Sequence, residues 1–154
     1  MNPQIRLELR SNPLLLCGVR ELLACVAARL GFPDDACTQI KLATDEALCN
    51  VIRHGYDKQP DRPIWVTVHW DGQPDARGTG ALRIVIEDEA RQVDPETIRG
   101  RDLDDIRPGG LGVHIIRQVM DEVTYERRDG QGMRLTMVKR INGHATEPAK
   151  GQHG

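Results

Sequence analysis

The sequence predicts an α+β fold, a two-layer α/β sandwich with helices on one face of a mixed, mostly antiparallel sheet. Three observations predict it. Residues 5–9, 64–70 and 82–86 alternate apolar with other residues at a period of two, as half-buried strands do. Two stretches between the first and second of these runs keep helical spacing and carry start and stop signals. The order (strand, two helices, two strands, long loop, helix, hairpin) shows no repeat and suits helices layered on one side of a sheet. At 154 residues the chain has the size of one domain. Residues 1–141 read as that domain, and the polar, glycine-rich residues 142–154 as a disordered tail.

The first strand is marked by Ile5, Leu7 and Leu9 alternating with charged residues. Asn12-Pro13 then starts a helix, as cap and first position, and Gly31 stops it. Its apolar positions are Leu15, Val19, Leu22, Leu23, Val26 and Leu30. Pro33-Asp34-Asp35 opens a second helix that runs to about His54 and ends at Gly55, with Ile40, Ala43, Ala47 and Val51 as its stripe. Ile64, Val66, Val68 and Trp70 share one face of the next strand. After a turn-rich link, Leu82, Ile84 and Ile86 lead to Asp88. Residues 90–110 hold few apolar residues, and a loop that long in a compact domain is usually functional. Helical spacing resumes from Leu111 to Met120. Two further strands, 123–127 and 133–139, follow across Asp129-Gly130-Gln131-Gly132.

Composition excludes several classes. Lys plus Arg number 21 against 23 Asp plus Glu, a net charge of -2, which does not suit a direct nucleic-acid binder. With two Trp, two Tyr and one Phe, a platform of stacked rings for single strands is not available. No apolar run approaches the roughly 20 residues of a membrane helix, and the first residues lack a signal-peptide pattern, so the chain reads as cytoplasmic. The four cysteines lie 8, 12 and 12 residues apart without a Cys-x-x-Cys pair, which suits small buried hydrophobes better than zinc ligands.

Three segments carry candidate chemistry. Glu46 and Asn50 lie four apart and project from one helix face, at the margin of the apolar stripe. That pair fits a water-linked helix edge, or a pocket wall in which Asn50 offers oxygen to a hard cation and Glu46 acts as a base. Asp88, where an apolar strand leaves the sheet, fits a turn cap or an acceptor for the exocyclic amine of a base. Pro108-Gly109-Gly110-Leu111-Gly112 runs into a helix, as a plain hinge or as a phosphate-binding N-terminus.

Taken together, the three segments resemble the GHKL ATPase superfamily (Bergerat fold), and more closely its anti-sigma-factor serine/threonine kinases. Asp45-Glu46-Ala47-Leu48-Cys49-Asn50-Val51-Ile52-Arg53-His54-Gly55-Tyr56 resembles the family's N box. Residues 109–140, from Gly109-Gly110-Leu111-Gly112 through Met120-Asp121-Glu122-Val123 to the last strand, are similar to its glycine box and closing strands. The resemblance implies that Asn50 coordinates Mg²⁺ bridging ATP phosphates and that Glu46 is the base toward a partner's serine or threonine hydroxyl. It further implies that Asp88 bonds the adenine amine, supported by the Thr136 hydroxyl. Gly110 and Gly112 would offer amides to the phosphates, residues 96–110 would form a lid, and Arg107 stands one position from where some members contact phosphate. The implied partners are a STAS-type anti-anti-sigma protein as phosphate acceptor and a sigma factor held inactive, with a possible homodimer. One departure stands out: Ala90 replaces a family glycine. It motivates the alternative of a sequestering interaction module with a degenerate nucleotide pocket. A histidine-kinase catalytic domain fits less well, for want of a phospho-accepting helical hairpin.

Overall fold

The computed structural model describes residues 3–72, 80–98 and 111–141. Arg107, Gly110, most of the expected lid and the tail at 142–154 lie outside them.

Five strands form one sheet: β1 (Ile5–Arg10), β2 (Pro63–Gly72), β3 (Gly80–Asp88), β4 (Glu122–Arg127) and β5 (Met133–Ile141). Their spatial order is β1-β2-β3-β5-β4, and every described ladder is antiparallel. Because side chains alternate across a strand, register decides which residues meet. One row crosses all five strands as Leu7, Val66, Ile86, Leu135 and Tyr125. Ile86 and Val66 in it are almost fully buried. Leu82, Ile84, Ile86 and Asp88 share the same face of β3, so the apolar stripe of that strand ends in a carboxylate.

The helices are α1 (Leu16–Leu30), α2 (Asp34–Asn50) and α3 (Leu111–Val119). Asn12 begins the first as expected: its side chain accepts from the Leu14 N–H at 3.0 Å, over a short 3-10 turn, Pro13–Leu15. The buried stripe of α1 is Leu16, Val19, Leu23 and Ala27. It is turned from the expected one, leaving Leu15 and Leu22 exposed. Cys17 and Cys25 are exposed too, and Cys37 and Cys49 half-buried, so the cysteines are not the buried hydrophobes their spacing suggested. They sit beside the stripe rather than on it. Ala36, Ile40, Ala43, Ala47 and Leu48 of α2 complete a single core with the sheet. Asp34 and Asp35 stand in its first turn, where the helix dipole favours acid.

The second helix does not run straight to its end. After Asn50 it widens into a π turn, Val51–Gly55, and then reverses through Asp57 and Lys58, both left-handed at φ 48° and 63°. Such turns and such backbone are uncommon and gather at functional sites. At the far end of α3, the Lys139 ammonium meets the Val119 carbonyl at 2.5 Å, a cation against a helix C-terminus.

Candidate functional site

A cavity of about 350 Å³ lies between α2, its π turn, the inner face of β3 and β5, and α3. Asn50, Val51 and His54 line one side, and Ile86, Asp88, Met133 and Leu135 another. Val113 of α3 and Tyr125 of β4 close it. The wall is mainly apolar with a few polar groups, as small-molecule sites are.

Asp88 is only 6% exposed. Its Oδ1 accepts from the Ala90 N–H at 2.8 Å and from the Met133 N–H at 3.1 Å. Oδ2 has no partner among the described residues. Burial pushes the Asp88 carboxyl up from its ordinary range; the two N–H bonds and the charge of Arg128 act against that rise. The result is a carboxylate anchored through one oxygen, with the other available to an N–H donor in the cavity.

Two further contacts hold this carboxylate in place, and neither was foreseen from sequence. The Tyr56 hydroxyl donates to the Pro63 carbonyl at 2.6 Å and accepts from the Glu89 N–H at 2.7 Å, tying the segment after β3 to the start of β2. Gly132, at φ 90°, lies flat against the Asp88 carbonyl, where a Cβ would collide with the main chain. The Tyr56 contact had a signal in the His-Gly-Tyr run. Gly132 had only its place in a hairpin turn.

At the other end of the cavity α3 meets α2. A Cβ built on Gly112 would stand 2.6 Å from Glu46 Oε2 and 3.5 Å from Asn50 Oδ1. The first turn of α3 is therefore pressed against the Glu46–Asn50 row. Anions favour that end of a helix. Asn50 and Asp88 thus line one cavity, and Glu46 and Gly112 meet each other beside Asn50.

Thr136 does not join them. It pairs with Val85 on β3 and Thr124 on β4, positions of the outer face, while Asp88 belongs to the inner one. A one-residue step along a strand reverses the side chain, so the Thr136 hydroxyl is separated from the cavity by the sheet itself. The β5 residues on the cavity side are Met133 and Leu135.

Ala90 is 4% exposed and has no left-handed backbone. A Cβ on Gly55 would meet the Ala90 methyl at 3.1 Å, so the bare Gly55 makes the room this methyl fills. Tyr125 also bears on the cavity. Its hydroxyl is buried with no partner among the described residues, and burial pushes its pKa up.

Comparison with known proteins identifies the family. The family described as histidine kinase-like ATPase domain matches residues 9–139. The serine-protein kinase RsbW of Listeria innocua is 29% identical over 146 residues, covering 92% of this chain and 90% of that protein. Its namesake in Halalkalibacterium halodurans is 28% identical over 129 residues, covering 79% and 73%. A histidine kinase domain from the blue-light activated histidine kinase of Erythrobacter litoralis EL346 overlays at TM-score 0.44 with 19% identity, covering 82% of this chain and 63% of that one. The family match runs from the end of β1 into β5, through every described element that walls the cavity, and on that ground the chain belongs to the histidine kinase-like ATPase domains, with serine-protein kinases among its relatives.

Proposed function

We propose that the protein is an ATP-dependent serine/threonine protein kinase acting as an anti-sigma factor in partner switching. Its phosphate acceptor is a STAS-type anti-anti-sigma protein, and its other partner is a sigma factor held inactive. The observation that carries the reading is the shared cavity, with Asp88 on its sheet side and Asn50, beside Glu46 and Gly112, on its helix side. The similarity to serine-protein kinases over nine-tenths of the chain supports the choice of reaction.

The residues fit a purine nucleotide. Ile86, Leu135, Val51 and Val93 supply apolar cover for a flat ring, and Asp88 Oδ2 supplies an acceptor for an exocyclic amine. They also fit Mg²⁺, which is held by few protein oxygens together with substrate phosphates. Asn50 would hold it through Oδ1, and the ion would neutralise charge gathering on the transferred phosphoryl group. Gly112 and the first turn of α3 present amides to the phosphates, with Gly110 and Arg107 proposed to extend that contact. Glu46 accepts the proton of the partner's hydroxyl as its oxygen bonds to the γ-phosphorus and ADP departs. Such a transfer depends on alignment and charge stabilisation more than on covalent help.

Phosphate transfer to the purified acceptor, measured with a calorimetric titration of Mg²⁺-ATP, tests this. Glu46→Ala is expected to abolish transfer and leave nucleotide affinity within a few-fold. A variant as active as the parent would remove Glu46 from the reaction. No heat and no thermal shift at saturating nucleotide would favour the sequestering module instead, since a ligand of the native state must stabilise it. Ala90 lines the cavity without left-handed backbone, and its methyl is met by the bare Gly55, which supports the kinase reading.

A further inference from the structure

The turn of the β4–β5 hairpin wraps the end of β3. Besides the Met133 N–H on the carboxylate and the Gly132 backbone against the carbonyl, it sends Arg128 across the outer face. Arg128 Nη1 donates to the Asp88 main-chain carbonyl at 2.6 Å. Its Nε lies 3.0 Å from Glu87 Oε2, and its guanidinium carbon 4.9 Å from the centre of the Trp65 ring. Its own backbone is fixed as well: the N–H donates to the Gly132 carbonyl at 3.0 Å, and the carbonyl accepts from Gln92 Nε2. Glu87 already has a second cation, Arg134 Nη2 at 3.2 Å, so neutralising Glu87 does not by itself account for Arg128. What Arg128 adds is its hold on Asp88.

We propose that Arg128 is a positioning residue of the nucleotide pocket: from the far side of the sheet it locks the Asp88 main chain, and so the carboxylate, in the orientation that meets the base. This rests on the reading of Asp88 as the base acceptor. The carbonyl of residue 88 and the amide of residue 90 flank the same short segment, and both are tied, one to Arg128 and one to Asp88 Oδ1. With that segment fixed, Oδ2 has one direction left. The same guanidinium also keeps the buried carboxyl more readily ionised. Other charged or titratable groups around Asp88 are Tyr56 from the turn after α2, Glu89 next along the chain, Glu87 and Arg134 across the sheet, and His54, Asp57, Arg91 and Tyr125 around the cavity. Among them Arg128 is the cation whose charge acts on the Asp88 carboxyl.

The test uses the full chain as the parent, Arg128→Gln and Arg128→Lys. Carboxyl titration of Asp88 is followed by carbon NMR without nucleotide, and Mg²⁺-ATP affinity is measured from mildly acidic to mildly alkaline pH. In R128Q the Asp88 titration is expected to move to higher pH. Its affinity should fall about tenfold, the worth of one hydrogen bond to a charged group. The loss should be larger at the acidic end, where more of the carboxyl is protonated. In R128K the titration returns toward the parent's, while affinity stays reduced, because an ammonium lacks the fork that spans the Asp88 carbonyl and the Glu87 carboxylate. An Asp88 titration unmoved in folded R128Q, or an affinity loss equal at every pH, overturns the proposal. Should R128Q not fold, R128K with parental affinity overturns it too. If the parent binds no nucleotide, the kinase reading fails, and the titration alone then decides what Arg128 does to Asp88.

Discussion

Replacing Asp88 with asparagine separates what this residue does for binding from what it costs the fold. The exchange is nearly isosteric. An amide Oδ1 still accepts the Ala90 and Met133 N–H groups at 2.8 and 3.1 Å, so the local main chain keeps its ties. What changes is the free end, where an acceptor with negative charge becomes an NH₂ donor facing the amine of the base. Losing one hydrogen bond to a charged group costs about 1.5–3 kcal/mol, which is about 10- to 150-fold in Kd. Stability should move the other way. A carboxyl whose folded pKa is raised binds its proton more tightly in the native state than in the unfolded chain. Its contribution is fully present below the ordinary carboxylate pKa, about 4, and is lost as pH rises through the folded value. Above its folded value the ionised Asp88 therefore weakens the nucleotide-free protein, and there Asp88→Asn should melt at higher temperature than the parent. That gap should close as pH falls into the carboxylate range. Thermal melts across pH, paired with calorimetric titration of Mg²⁺-ATP, read both effects. Parental affinity in the variant, or a variant that gains no stability over the parent as pH rises, would refute the reasoning.

Three other substitutions probe separate parts of the site. Gly112→Ala puts a methyl where Glu46 Oε2 now stands 2.6 Å away. The flexible carboxylate yields, so stability should change by less than about 1 kcal/mol. Phosphate transfer should fall on the order of a hundredfold as the base and the α3 amides lose alignment, and unchanged transfer would count against the contact. Tyr56→Phe strips partners from the Glu89 N–H and the Pro63 carbonyl, costing about 1–3 kcal/mol in urea unfolding. A loss below measurement error would mean water replaces the hydroxyl freely. Lys58→Gly relieves left-handed backbone at φ 63° while keeping the bond from its N–H to the Ile52 carbonyl at 2.8 Å. It should stabilise by up to about 1 kcal/mol, and a clear destabilisation would show that the Lys58 side chain matters more than its backbone.

The strands and the second helix were legible because their buried faces repeat at a single period. Ile64, Val66 and Val68 alternate without interruption, and Ile40, Ala43 and Ala47 hold their spacing to the last turn. The first helix was legible in extent but not in rotation. Apolar residues occur nearly all round it, so the pattern does not say whether Leu15 or Leu16 points inward. Glu46, Asn50 and Asp88 stood out singly because each interrupts an apolar pattern at a place where a polar residue needs company. Only their order along the chain, and its resemblance to a family, joined them as a set. Thr136 was misplaced for the opposite reason: a hydroxyl near the end of the chain carries no mark of which sheet face it occupies. Only register supplies that mark, and pairing with Val85 puts it outside. Arg128 and Gly132 escaped notice because their role depends on a hairpin turn meeting a strand end some 40 residues away, a closeness that no local pattern encodes.

Ala90 shows how such non-local closeness can reverse a judgement made from sequence. Read alone, a methyl at a position where the pattern it resembles has glycine suggests a blocked or distorted pocket. In the fold that methyl is answered by a second residue, Gly55, whose missing Cβ leaves the space it fills. The two positions are 35 apart along the chain and belong to different walls of the cavity. Their contact ties the π turn after Asn50 to the segment after Asp88, the two segments that must keep a fixed separation if one nucleotide is to touch both. A substitution that looked like decay thus becomes a brace. A larger residue at position 55 would push those walls apart and weaken nucleotide binding, even though Gly55 offers no side chain to any ligand.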